Sequence, residues 1–248
     1  MSDPQATRLT ALLAQARADG SPAQFAASDL PDTVDAAYAA AFAATPADDI
    51  AGWKIGGANP WSQAVFANAE LFFGALLARE TVTEGASFPL DGLVAPLAEP
   101  EIMLELGAWP PRADTPVFTR MALGIEIPAT VLPDDAKPRL AGQVIDRAGA
   151  GGLWVGPAEP FDGARLTSAF SARYRLNDED WREGHSGNVF GGPLGSALLF
   201  LGQALRRGAP LRSGHWIATG GLVPATRVQP GTQITAEAAG LSLTLDLT

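Results

Sequence analysis

The run "PLAEPEIMLEL", residues 96–106, sets Glu99 and Glu101 on either side of Pro100 inside an otherwise apolar segment. Burying ionised carboxylates costs several kcal/mol each unless something compensates. Either the run lies on a wet surface, or the two carboxylates share a positive partner. Read as a strand, 97–106 puts Glu99 and Glu101 on one face with Cα atoms about 7 Å apart. Side chains at that spacing can lean onto one ion, with metal–oxygen distances of about 2.0–2.6 Å. Pro100 points the other way and has no N–H, which suits a sheet edge. It also biases Glu99 to extended backbone, holding the pair in register. Glu105 shares the face but lies about 13 Å beyond Glu101, and reads as solvated.

Outward from that run, "MALGIEIPATVL" (121–132) places Glu126 alone among apolar residues, with Ile125 and Ile127 facing away from it. The same energetic problem arises, and one divalent cation would solve it for all three acids. Three glutamate oxygens would leave about three positions of an octahedral Mg²⁺ or Mn²⁺ for water and substrate. The competing reading makes Glu99 and Glu101 exposed strand residues paired with Lys or Arg. Histidine is scarce: His185 and His215 both come late in the chain, so a histidine-rich zinc site does not compete.

Composition narrows the classes. The chain has 248 residues, enough for a sizeable core, with 47% hydrophobic and 18% charged residues, an ordinary globular balance. A net charge of −10, with no basic block longer than Arg206-Arg207, argues against nucleic acid as a partner. The absence of cysteine removes disulfides, thiolate zinc sites and a cysteine nucleophile together. The first ten residues hold no apolar signal core and no apolar run approaches the ~18 residues of a membrane span. No membrane partner and a cytoplasmic location are therefore expected.

The N-terminal part reads as helical. Asp3 is a candidate cap, Pro4 suits the first helical position, and Gly20 is a stop. Leu9, Leu12, Leu13 and Ala16 fall on one face. In "LPDTVDAAYAAAFAA" (30–44), Asp32 or Thr33 caps a stripe of Val34, Ala37, Tyr38 and Phe42. From residue 50 the texture shifts to short runs punctuated by Gly and Pro. "FSARYRLN" (170–177) and "LSLTLDLT" (241–248) alternate as half-buried strands, and Pro230-Gly231 turns into another. One helix interrupts, beginning after Pro193 and stopping at Gly208, with Arg206 and Arg207 in its last turn. The expected class is α+β: a helical N-terminal portion (1–50) and a β-rich catalytic body (51–248), in one compact unit.

Six segments occur in one order: "GWKIGG" (52–57), "AEPEIMLEL" (98–106), "LGIEI" (123–127), "IDRAGAGGLWVG" (145–156), "GGPLGSALLFLGQAL" (191–205) and "LRSGHWIATG" (211–220). Together with "DAAYAAAFA" (35–43), they resemble the 2-keto-4-pentenoate hydratase and 4-oxalocrotonate decarboxylase branch of the fumarylacetoacetate hydrolase superfamily. The resemblance implies a mixed β-rich body with a helical N-terminal portion. It also implies Mg²⁺ or Mn²⁺ held by three acids, which map onto Glu99, Glu101 and Glu126.

The family's lysine maps onto Lys54. Between Trp53 and Ile55 on a Gly-flanked turn, that lysine would be semi-buried and could meet a substrate carboxylate or enolate oxygen; the alternative is a structural ion pair with one of the glutamates. Departures stand beside the matches. "ELFFG" (70–74) carries Phe72 where the family often has an acid. "IDRAGAG" (145–151) keeps Asp146 but has Arg147 for an asparagine, with Gly149 and Ala150 for serines. "GGPL" has Gly192 for an asparagine. Asp146 and Arg147 are candidate substrate-binding residues, because a guanidinium suits a second substrate carboxylate. An ion pair with Asp146, or simple exposure, is the other reading of Arg147.

His185 reads as a solvated loop residue and His215 as a structural residue at a strand start. The glycines of 147–156 suggest a dinucleotide loop, but no helix-like segment follows them and no acid lies ~20 residues on, so that reading is rejected. The resemblance implies a metal-dependent lyase acting on a small-molecule 2-oxo acid, most directly hydration of a 2-hydroxydienoate to a 4-hydroxy-2-oxo acid. Decarboxylation of an oxalocrotonate-type dicarboxylate is the close alternative. C–C hydrolysis ranks third, because it usually calls for a histidine base in the first half of the body, and none precedes His185. A non-catalytic binding or partner protein is a reading of a different class. A homo-oligomer is the expected assembly.

Overall fold

Short apolar runs punctuated by glycine and proline build the inner strands of the body, and apolar–polar alternation builds those with one exposed face, such as 171–176, 233–238 and 241–247. The computed structural model describes residues 4–66, 70–111 and 117–248; the expected cap Asp3 lies outside them. Helices α1 (Pro4–Asp19) and α2 (Val34–Ala44) open the chain. Thr33 caps α2 by accepting the Ala36 N–H at 3.1 Å, an interaction worth about 1 kcal/mol. Short helices α3 (Pro60–Phe66), α4 (Leu140–Ile145) and α5 (Gly163–Thr167) and the longer α6 (Gly192–Arg206) follow.

The strands of the first half are β1 (Ile50–Gly56), β2 (Phe72–Leu77), β3 (Thr81–Thr83), β4 (Ser87–Phe88), β5 (Leu97–Leu106) and β6 (Phe118–Pro128). Those of the second half are β7 (Ala150–Val155), β8 (Glu159–Pro160), β9 (Ser171–Leu176), β10 (Arg182–His185), β11 (Trp216–Ala218), β12 (Thr226–Arg227), β13 (Gln233–Ala238) and β14 (Leu241–Leu247). A mixed sheet runs β2-β1-β11-β5-β6-β7-β3, with β12 on β5 and β8 on β6. A second sheet runs β10-β9-β13-β14-β4. The alternation expected for 241–248 is realised without exception, Leu241, Leu243, Leu245 and Leu247 being buried and the residues between them exposed.

The two faces of the large sheet differ. One carries Trp53, Ile55, Phe73, Ile102, Leu104, Ile125 and Ile127 into a core shared with the second sheet and with the helices. Leu9, Leu13, Ala16, Ala37 and Tyr38 belong to the same core, so the N-terminal helices are packed on the body rather than apart from it. Tyr38 rivets α2 to β2, its hydroxyl accepting the Phe73 N–H at 3.0 Å and its ring lying 4.6 Å from that of Phe73. Full burial of side chains such as Phe73 and Phe200 stabilises this core by about 2–3 kcal/mol each. The sheet curls until β2 and β7 meet, so the opposite face lines the inside of a roll. There a smaller cluster of Leu76, Met103, Ala122, Leu153, Val155 and Ala218 is buried, and the glutamates share that face.

Candidate active site

Strand pairing, not sequence proximity, assembles the acids. In the β5–β6 ladder Glu99 lies directly opposite Glu126, and Glu101 opposite Gly124. Ile125 and Ile127 do face away from Glu126, into the main core. Glu101 and Glu126 are buried and Glu99 is half-buried. Carboxylate oxygens of the three glutamates lie within 4.8 Å of one another, close enough to meet one cation at ordinary metal–oxygen distances. The sheet itself brings them there, since like charges opposed across a ladder are otherwise destabilising.

Lys54 joins them from β1. It is a buried strand residue, not a semi-buried turn residue: "GWKIG" continues β1, because Trp53 and Ile55 pack outward into the core and send Lys54 inward. Its Nζ lies 2.9 Å from Glu126 Oε2. Burial works against the ammonium, but Glu126 and then Glu99 outweigh it and hold Lys54 above the usual lysine range. One ammonium cannot balance three carboxylates. Burial, opposed chiefly by Lys54, pushes Glu126 up to about 8. Glu101 is pushed well above the carboxylate range by burial and then by Glu99 and Glu126, and burial also raises Glu99. Lys54 thus favours its charge while Glu126 resists its own. The surplus negative charge accounts for both: without a cation, a proton has to be held among the acids.

Among the described residues Glu126 Oε1 is buried with no hydrogen-bond partner, and Glu101 Oε2 accepts one N–H, from Gly220 at 2.7 Å. A fully oxygen donor set with an orphaned lone pair fits a hard divalent cation such as Mg²⁺ or Mn²⁺.

Asp146 and Arg147, the substrate-binding candidates, are both held by protein partners. Asp146 accepts from Arg17 at 2.6 Å, Thr130 at 2.7 Å and the Val131 N–H at 3.3 Å. Arg147 gives both terminal guanidinium nitrogens to Glu80 at 2.7 Å, and one also to the Ala75 carbonyl at 3.0 Å. Its partner is therefore neither Asp146 nor solvent, but a glutamate 67 residues away. Pro100 is not at a sheet edge: β5 is an inner strand. The missing N–H is tolerated because β11 and β12 leave a gap beside Pro100, filled by a connecting segment whose Leu222 N–H donates to the Pro100 carbonyl at 3.0 Å. Glu105, read as solvated, takes a bidentate bond from Arg120 and another from Thr119. His215 is structural, as read: it immediately precedes β11, and its Nδ1 accepts from Trp53 Nε1 at 3.0 Å and the Arg212 N–H at 3.2 Å. His185 is exposed on β10.

Two elements of the site were missed. The Gly220 N–H that binds Glu101 belongs to Gly220-Gly221, a pair following the short strand β11, where a doubled glycine signals close approach of backbone to other groups. Asn59, which holds Gly221 through its side chain at 2.7 Å, precedes Pro60 and reads from sequence only as a helix start.

No family model matches the chain. Its fold matches solved structures along most of its length. With 4-oxalocrotonate decarboxylase from Pseudomonas putida G7, complexed with magnesium and adipate, the TM-score is 0.86 at 22% identity, covering 98% of this chain and 97% of that one. Fumarylpyruvate hydrolase from Pseudomonas aeruginosa, in complex with Mn²⁺ and pyruvate, gives 0.59 at 15% identity over 79% and 88%. 5-carboxymethyl-2-hydroxymuconate delta-isomerase from Mycobacterium smegmatis gives 0.53 at 16% identity over 80% and 78%. The expected α+β, fumarylacetoacetate hydrolase-like fold is the one observed.

Proposed function

We propose that this chain belongs to the fumarylacetoacetate hydrolase superfamily and is a divalent-metal-dependent lyase of small 2-oxo acids. The observation that carries the reading is the convergence of Glu99, Glu101 and Glu126 on one point inside the roll, with a single lysine to balance them. These glutamates would hold Mg²⁺ or Mn²⁺, which when bound supplies Lewis acidity toward a 2-oxo acid. Lys54 keeps its proton and places positive charge where an oxyanion develops on the substrate's 2-oxo oxygen. Met103, Leu153 and Val155 on the same face keep bulk water from the charged groups and so strengthen their effect. Half-buried Glu99 marks the side open to solvent.

Decarboxylation of a 2-oxo dicarboxylate is the favoured reaction. The C–CO₂ bond breaks, its electron pair moves through the conjugated system onto the 2-oxo oxygen, and a proton from solvent later quenches the carbon. This needs an electron sink but no base, and the site offers cationic groups without a histidine. The full-length likeness to a decarboxylase supports it. Hydration of a 2-hydroxydienoate is the second reading. Saturation of Arg147 by Glu80 favours it, because that arginine does not select a second carboxylate.

The test is a screen of short 2-oxo and 2-hydroxydienoic acids with Mg²⁺ or Mn²⁺, following both CO₂ release and loss of the diene chromophore. Divalent-dependent turnover supports the proposal, and the CO₂ signal separates its two forms. Absence of turnover on every substrate, with Mn²⁺ bound, would point to the non-catalytic alternative.

A further inference from the structure

Asn59 lies in no strand or helix, yet it is buried. Its side-chain nitrogen donates to two backbone carbonyls, that of Asn188 at 2.9 Å and that of Gly221 at 2.7 Å. Both partners are acceptors only, which fixes which end of the amide faces them. Asn188 in turn donates from its side chain to the Leu222 carbonyl at 2.9 Å. The Ala58 carbonyl accepts the Phe190 N–H at 2.8 Å. Three separate segments, around residues 58–59, 188–190 and 220–222, are thereby pinned together.

The pinned segment touches two of the three acids. Gly220 gives its N–H to Glu101 Oε2 at 2.7 Å. Gly221 lies so near Glu99 that a Cβ there would stand 3.1 Å from Glu99 Oε1. Gly220 has a φ of +117°, and a Cβ on it would meet Ala58 Cβ at 2.8 Å, so backbone alone fits this seam. The Gly220 bond occupies one oxygen of Glu101 and fixes the plane of its carboxylate. Asn59 also stands three residues beyond the end of β1, the strand that carries Lys54.

We infer that Asn59 is a positioning residue for the metal centre: its side-chain amide, bonded to the Gly221 carbonyl, holds the Gly220–Gly221 segment as a backbone cradle that orients Glu101 and confines Glu99. The inference rests on the metal-centre reading above. Residues that orient metal ligands without touching the ion typically change metal affinity by about 10–100-fold when removed.

The experiment is Mn²⁺ titration of EDTA-stripped, dialysed protein by electron paramagnetic resonance, in wild type, Asn59→Ala and Asn59→Ser, with melting curves of each metal-free protein. The expected result is a Kd for Mn²⁺ raised about 10–100-fold in Asn59→Ala and a smaller rise in Asn59→Ser, which keeps one donor, beside a metal-free melting temperature lowered in both by the lost bonds. Wild-type binding with a variant Kd within threefold of it would overturn the inference alone; so would lower metal-free melting with an unmoved Kd, the mark of a purely structural residue. Failure of wild type to bind Mn²⁺ would overturn the metal-centre reading and this inference with it. If Asn59→Ala does not fold, Asn59→Ser and Asn188→Ala carry the test, and an unchanged Kd in both overturns it.

Discussion

Arg17, Asp146, Arg147 and Glu80 form one charge cluster; Glu99, Glu101, Glu126 and Lys54 form another. The first lines a cavity of about 370 Å³ between α1, α2 and the body, the place where a binding site would ordinarily be sought. Yet its two cations meet two anions: Arg17 bonds Asp146 and the Ala150 carbonyl, and Arg147 bonds Glu80 and the Ala75 carbonyl. The second cluster has three carboxyl groups to one cation, and Glu126 Oε1 has no hydrogen-bond partner among the described residues. Buried charge that the chain satisfies is architecture. Buried charge that it leaves unsatisfied specifies something from outside.

The sharpest break of this contrast is Glu126→Gln. Turnover and divalent binding are expected to fall together, kcat/KM by at least about 10³-fold, the scale of losing a principal electrostatic stabiliser. Meanwhile the metal-free protein should gain about 1 kcal/mol, or 2–4 °C in Tm, from relieved repulsion. A variant that stays active, or a metal-free protein that melts lower, would place Glu126 in the structural class.

Glu80→Gln is the converse. It strands the buried Arg147 guanidinium and should cost about 3 kcal/mol in urea unfolding while leaving the Kd for Mn²⁺ unchanged. Lost metal affinity at retained stability would show that the two clusters are not separable.

Metal removal ranks third. Saturating Mg²⁺, at about 100 times its Kd, should stabilise by about 2.7 kcal/mol relative to EDTA. The gap should widen with pH. Glu126 titrates near 8 in the metal-free fold against 4.5 ordinarily, so the folded state holds the extra proton between those values. That contribution is present below about pH 4.5 and lost as pH rises through 8. Melting curves at pH 6, 7 and 8 that run parallel with and without Mg²⁺ would contradict it.

The smallest effect calibrates the others from a group outside both clusters. Burial and then Arg212 lower His215 to about 4, so the unfolded chain binds a proton that the folded one refuses between pH 6.5 and 4. Stability present above pH 6.5 should be lost progressively down to pH 4, by about 1–2 kcal/mol after discounting for partial solvent access. His215→Asn, which keeps an acceptor for Trp53, should flatten that part of the profile; an unchanged slope would refute the assignment.

What could be read in the sequence follows the same division. Glu99, Glu101 and Glu126 were legible because each interrupts an apolar run, and strand geometry turns that interruption into a direction. The alternation at 241–248 and the cap at Thr33 were legible for the same local reason. The protein partner of Arg147 could not be named because Glu80 is remote in sequence and meets it where the chain turns through left-handed backbone at Arg147 and Ala148. Glu105 and Pro100 were misplaced because their surroundings, Arg120 and the segment around Leu222, are decided by which strands become neighbours. Asn59 was invisible because an asparagine before a proline has an ordinary local explanation.

The direct opposition of Glu99 and Glu126 has a consequence in time as well as in energy. Their ladder runs from Glu99 to Leu106 and pairs two strands consecutive in the chain, and local pairings of that kind close early. Zippering β5 onto β6 must seat two carboxylates face to face, and Lys54 arrives from β1, which joins the sheet through β11. Until then a proton or a divalent ion has to stand between them. The refolding rate of the stripped chain should therefore slow as the solution becomes more alkaline and recover when Mg²⁺ is present from the first millisecond, making the ion a participant in assembly before it takes any part in chemistry.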